Sequence, residues 1–147
     1  MRGGLRDAQR IYKEPGEKVK SAFLTDLVVK CLDDKTWEIK SSLEYRSKIL
    51  NYVIHVPIGF VTDFASVPRL PLIYLVAGGV ADCPATIHDF LYQKHECSKS
   101  KADRVFLEAM KVIKIHFLKR QIMYWAVVLF GWTAYASGPD RYKILND

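Results

Sequence analysis

Apolar and polar residues alternate in part over Ala22–Leu32, which predicts an extended strand. Asp33-Asp34-Lys35 then reads as a turn. A second strand is expected over Thr36–Tyr45, with Trp37, Ile39 and Leu43 on one face. Arg46-Ser47-Lys48 breaks the pattern, and Ile49–Val56 is rich enough in β-branched and aromatic residues to be a third strand. A small antiparallel meander over about 22–56 follows, which needs a cover on one face to be stable. Residues 1–20 are polar, carry a Pro15-Gly16 turn signal and read as an extended arm.

The pattern changes at Pro57. Three prolines and a glycine between Pro57 and Pro71 exclude a continuous regular element, yet Phe60, Phe64 and Val67 require much of this stretch to be packed. Leu72–Val80 is apolar and closes on Gly78-Gly79, a hinge or a close backbone approach. Long packed loops that carry ionisable groups often hold functional residues, so 57–80 is a candidate functional loop.

Three helices are expected between residues 82 and 137. Asp82 and Pro84 mark the start of the first, which runs to about Lys94. The second spans about Lys101–Ile115, with apolar positions at Val105, Phe106, Ala109, Met110, Val112 and Ile113. Ser100 and Asp103 resemble a capping box with Asp in place of Glu. The third holds the uncharged run Ile122–Ala136 and stops at Gly138-Pro139, ahead of a polar tail over 138–147. Strands first and helices second make the class α+β, and 147 residues suit a single domain with a sizeable core.

The Ile122–Ala136 run is shorter than the roughly 20 residues of a spanning helix, and its first reading is a core helix. Its five aromatics and the adjacent Lys119-Arg120 also suit an interfacial or partner-facing helix. A transmembrane span is not expected. The net charge of +6 favours anionic partners such as phospholipid headgroups or anionic polymers. The basic residues are dispersed and accompany no nucleic-acid-binding motif, so nucleic acid is not the expected partner. Three cysteines, Cys31, Cys83 and Cys97, with no apolar leader after Met1, imply free thiols and synthesis in a reducing compartment.

Candidate chemistry gathers on the first two helices. His88 and Tyr92 are four residues apart and share a face, while Asp89 projects about 100° round from His88. A short connection can bring Asp103 beside His88. A neutral imidazole takes a proton from water near neutral pH, and does so best when an acceptor holds its other nitrogen. Asp103 supplies that acceptor, and Tyr92 can keep Asp103 oriented. Asp89, facing sideways, could hold a hard cation such as calcium together with backbone carbonyls, and the cation would then polarise an ester carbonyl. In the loop, Asp63 and Arg69 could pin the chain or join the site. Two further arrangements are zinc on His88, His95 and Cys97, and Ser66 as a nucleophile paired with His88. The chain lacks the Cys-x-x-Cys, His-x-x-x-His and Gly-x-Ser-x-Gly spacings that those chemistries use.

His88-Asp89-x-x-Tyr92, followed by Ala102-Asp103-x-x-Phe106, resembles the core of calcium-dependent phospholipases A over about twenty residues. The resemblance implies His88 as base, Asp89 as calcium ligand, Asp103 as orienter and Tyr92 as its support. The chain departs from that pattern at Leu91, where a cysteine is expected, and lacks a Tyr-Gly-x-Gly calcium loop. A longer resemblance rests on Gly59-Phe60-Val61-Thr62-Asp63-Phe64-Ala65-Ser66-Val67-Pro68-Arg69, His88-Asp89-x-Leu91-Tyr92, Ala102-Asp103-x-x-Phe106-x-x-Ala109-Met110 and Met123-Tyr124-Trp125-Ala126-Val127. Those blocks are similar to an uncharacterised family of bacteriophage and prophage proteins. That resemblance implies a phage origin and one spatial cluster of Asp63, Ser66, Arg69, His88, Asp89, Tyr92 and Asp103. It supplies no activity. The expected function is a phage protein at the host envelope, either a His-Asp, metal-assisted hydrolase of phospholipid or a related ester, or a non-catalytic virion or tail-assembly component. Its expected partners are host envelope lipid or other phage proteins, and its expected location is the host cytoplasm on synthesis, with packaging in the virion left open.

Overall fold

Leu43, Tyr45 and Ser47 are fully buried and alternate with half-exposed Glu44 and Arg46, the period-two signature of a strand with one face inward. This strand belongs to a computed structural model that describes residues 20–33, 36–62 and 81–136. The strands are β1 (Ala22–Phe23), β2 (Val28–Cys31), β3 (Trp37–Ser41), β4 (Leu43–Ser47), β5 (Tyr52–Val56) and β6 (Val61–Thr62). They form two antiparallel three-stranded sheets, ordered β1-β4-β5 and β2-β3-β6. The helices are α1 (Asp82–Lys94), α2 (Lys99–Val112), α3 (Phe117–Phe130) and α4 (Trp132–Ala136). The molecule is α+β, with strands leading and helices following.

Two sheets arise where one meander was expected because the Thr36–Tyr45 stretch breaks at Ser42. Thr25 Oγ1 donates to the Ser42 carbonyl at 2.9 Å and accepts from the Glu44 amide at 2.8 Å. One hydroxyl thus takes up two backbone groups at the corner, and the chain crosses from β3 in one sheet to β4 in the other. The expected break at Arg46-Ser47-Lys48 falls where β4 ends, at Ser47, two residues beyond the expected Tyr45. β4 runs through Ser47, whose carbonyl accepts from the Asn51 amide at 3.0 Å, and Asn51 takes the left-handed conformation (φ 58°) that closes the turn into β5. Leu43 faces Val56 and Tyr45 faces Ile54 across that pair, so the inward sides match in register.

One apolar cluster joins both sheets to the helices. It contains Ile39 of β3, Tyr45 of β4, Ile54 and Val56 of β5, Leu91 of α1 and Val105 of α2. Glu108 on α2 clamps the junction, accepting from Tyr45 Oη at 2.9 Å and from the Ile49 amide at 3.1 Å. Burial, with Glu108 beside it, holds the Tyr45 phenol well above its ordinary range.

α1 is buried on all sides from Pro84 to Gln93, the condition of a helix inside the molecule. α2 begins two residues earlier than the sequence suggests. Its N-cap is Ser98, whose hydroxyl accepts from the Lys101 amide at 3.3 Å, and this replaces the expected Ser100–Asp103 capping box. α3 starts at Phe117, ahead of the uncharged run, with His116 Nδ1 accepting from the Leu118 amide. It is not the core helix of the first reading. Only Met123, Ala126 and Val127 are buried, and Trp125 and Leu129 are exposed. Gly131 ends it, and the aromatic run continues as the separate short α4. Among the described residues no helix is long and apolar enough to cross a membrane.

Candidate functional site

The two helices that carry the chemistry meet at His88 and Asp103. His88 Nε2 lies 2.8 Å from Asp103 Oδ1, and both residues are 2 % exposed. Tyr92, one turn beyond His88 on α1, donates its hydroxyl to the same oxygen at 2.5 Å. The expected trio of His88, Asp103 and Tyr92 is therefore brought together as read from spacing. The His88 ring packs 3.9 Å from the Tyr92 ring and 4.9 Å from that of Phe106, centroid to centroid, so it is held in place from two sides.

A fourth member was not foreseen. Lys99 Nζ donates to Asp103 Oδ2 at 2.7 Å, to the Val127 carbonyl at 2.8 Å and to the Val128 carbonyl at 3.2 Å, with the residue only 4 % exposed. An ammonium has three donors, and all three are used. Starting the helix at Lys101 left Lys99 in the loop. Reading Ser98 as the N-cap would have placed Lys99 one turn before Asp103 on the same face. The two carbonyls lie near the C-terminus of α3, where the helix dipole also favours a cation.

Burial works to raise the Asp103 pKa, but hydrogen bonds from His88, Lys99 and Tyr92 outweigh it and hold the carboxyl below its ordinary value. An ionised carboxylate only accepts, so Nε2 of His88 carries the hydrogen in this pair. The lone pair of a neutral ring is then on Nδ1. Tyr92 is shifted the other way: burial, and then its bond to Asp103, push its phenol far above the usual range.

Gly131 makes the cluster possible. A Cβ at this position would crowd the Val127 carbonyl oxygen and stand 2.6 Å from Tyr92 Oη and 3.3 Å from Lys99 Cε, so only glycine lets the end of α3 turn here and close over both side chains. α4 then returns to the α1–α2 connection. Tyr135 donates its hydroxyl to the Cys97 carbonyl at 3.0 Å and stacks on His95 at 4.2 Å, while His95 Nε2 donates to the Tyr135 carbonyl at 2.5 Å.

Asp89 is fully buried, and its Oδ2 accepts from Thr62 Oγ1 at 2.9 Å, tying α1 to β6. Asp63, Ser66 and Arg69 lie outside the described residues, as do the arm 1–19, residues 63–80 and the tail 137–147. Among the described residues no three His, Cys, Asp or Glu side chains gather as a metal ion would require. The Asp89 carboxylate, the expected calcium ligand, takes a hydrogen bond from Thr62. His88, His95 and Cys97 likewise do not converge as zinc ligands, since His95 is turned to Tyr135.

The fold and its buried ionic cluster define a small α+β domain built around a histidine–aspartate pair. The chain belongs to the family described as protein of unknown function DUF1353, which matches residues 37–127. The match runs from β3 to Val127 and so includes His88, Asp89, Tyr92, Lys99 and Asp103. The resemblance to an uncharacterised domain family therefore stands. No curated protein and no solved structure matches the chain.

Proposed function

We propose that the chain is a phage-encoded protein acting at the host envelope, with His88 as the general base of an ester hydrolase. The substrate class is phospholipid or a related ester. One observation carries the reading: the 2.8 Å contact of His88 Nε2 with Asp103. That contact fixes the tautomer and leaves Nδ1 to act. Among the described residues no group engages Nδ1.

In the proposed step Nδ1 takes a proton from water as the water oxygen bonds to the ester carbonyl carbon. The carbonyl electron pair moves onto oxygen. Collapse of that adduct breaks the bond to the alkoxy group, which leaves with the proton from the imidazolium. Asp103 stabilises the imidazolium while it lasts. The phospholipase-like pattern supports calcium as a helper, but the donor set described above gives no reason to route a step through it.

A second reading is favoured by the same residues' burial. Four groups at 4 % exposure or less, three of them hydrogen-bonded to the fourth, Asp103, also describe a lock between helices in a non-catalytic virion or tail-assembly component.

Hydrolysis of phospholipid vesicles and of a soluble short-chain ester, each with and without calcium, separates the two. Wild type should turn over, while His88→Gln and Asp103→Asn lose about 10²-fold or more while keeping the wild-type far-ultraviolet spectrum. No turnover on either substrate, or equal turnover in all three proteins, removes His88 as base and leaves the assembly reading.

A further inference from the structure

The outer face of α3 is apolar, and its large side chains are exposed. Leu118, Ile122, Trp125 and Leu129 follow one another at spacings of four, three and four, which confines them to an arc of about 60° on a helix. Leu118, Trp125 and Leu129 are 61 %, 53 % and 63 % exposed, and Trp132 at the start of α4 is 63 % exposed. The helix buries its opposite side through Met123, Ala126 and Val127. So large an apolar stripe on a helix that is already half-buried marks a contact surface.

Charge selects the occupant. From Ala109 to Pro139 the sequence holds no acidic residue, and it holds Lys111, Lys114, Lys119 and Arg120. All four lie at or before the first turn of α3, and the three lysines are exposed. A helix with cations gathered at one end and Trp and Leu along one side suits the boundary between phosphate headgroups and acyl chains. Its fourteen residues span about 21 Å, short of the roughly 30 Å of a hydrocarbon core, so the helix lies along the surface.

We infer that the Leu118–Leu129 face of α3, with Trp132, docks on an anionic phospholipid bilayer. The inference rests on the envelope reading above for its choice of lipid, and its test involves no turnover. The full chain should co-sediment with vesicles rich in phosphatidylglycerol and not with pure phosphatidylcholine, and added salt should weaken the binding. Trp125→Ser and Leu129→Ser should each lower partitioning by about tenfold or more, since each removes a side chain from the acyl region. Lys114→Glu with Lys119→Glu should abolish the preference for anionic vesicles. Thermal melts confirm that these surface variants fold.

Equal binding to both vesicle types, no binding to either, or binding unchanged by the serine variants would overturn the proposal. So would light scattering that shows a wild-type dimer converted to monomer by Trp125→Ser, because the stripe would then be covered by a second copy. A chain that binds vesicles but hydrolyses nothing keeps this surface and loses His88 as base. A chain that cleaves soluble esters and ignores vesicles does the reverse.

Discussion

Lys99 donates to the one oxygen of Asp103 that His88 and Tyr92 leave unused, at 2.7 Å. The carboxylate is thus neutralised from two directions inside the molecule, and the network is satisfied only while all its members are present. Replacing Lys99 with Met keeps the volume and removes the charge. It should destabilise the chain by about 3–5 kcal/mol, as expected when one partner of a buried ion pair is deleted, and urea denaturation measures the loss. An effect below about 1 kcal/mol would mean that the ammonium is dispensable.

Acid should expose the same carboxylate. The Asp103 pKa is lower in the folded chain than the ordinary value of about 3.9, so the unfolded chain binds its proton more readily. The resulting stabilisation is fully present above pH ~4 and is lost as pH falls through the folded pKa. Urea midpoints taken from pH 6 down to pH 3 should fall more steeply for wild type than for Asp103→Asn. Parallel curves would contradict this.

Gly131→Ala should act through both the end of α3 and Tyr92. The added methyl would crowd the Val127 carbonyl oxygen and meet the Tyr92 hydroxyl at 2.6 Å, so the end of α3 must shift and the phenol must move away from the methyl. A loss of about 1–3 kcal/mol is expected from overpacking. In a Tyr92→Phe background one of the two clashing oxygens is gone, so the alanine should cost less, although the crowding of the Val127 carbonyl remains. A double-mutant cycle reads that coupling, and strict additivity would show that the two positions are independent.

The three cysteines are free thiols and should differ in reactivity. Burial, with Glu96 close by, pushes the Cys97 thiol up to about 11, whereas Cys31 is exposed. At pH 8 a disulfide reagent should label Cys31 rapidly and Cys97 only after unfolding, because the thiolate is the reactive form. The raised Cys97 value also favours the folded chain below the ordinary thiol pKa of about 8.5, a contribution lost as pH rises through about 11. Equal labelling rates in the native protein would refute the assignment.

The His88–Asp103 meeting was legible because it depends on local rules: four-residue spacing on one helix, and a short connection to the next. The order of strands and helices was legible for the same reason. The sheet corner was not, since it depends on Thr25 reaching Ser42 and Glu44, a contact that no periodicity encodes. Lys99 was missed through a two-residue error in a helix start, which turned a buried partner of Asp103 into an apparent loop lysine. The reading of α3 as a core helix failed for a different reason. Composition says how apolar a segment is, but the 118-122-125-129 spacing has to be set against a partner surface before it says which way the segment faces.

The bond from Lys99 to the Val127 and Val128 carbonyls has an evolutionary corollary. Inserting or deleting one residue between His116 and Gly131 would swing those carbonyls by about 100° and carry them out of the ammonium's reach. The length of α3 is therefore locked to an ion pair on another helix. The Lys48–Asn51 turn is tied in its own way, through the Ile49 amide on Glu108, so gaps among this chain's descendants should spare both segments.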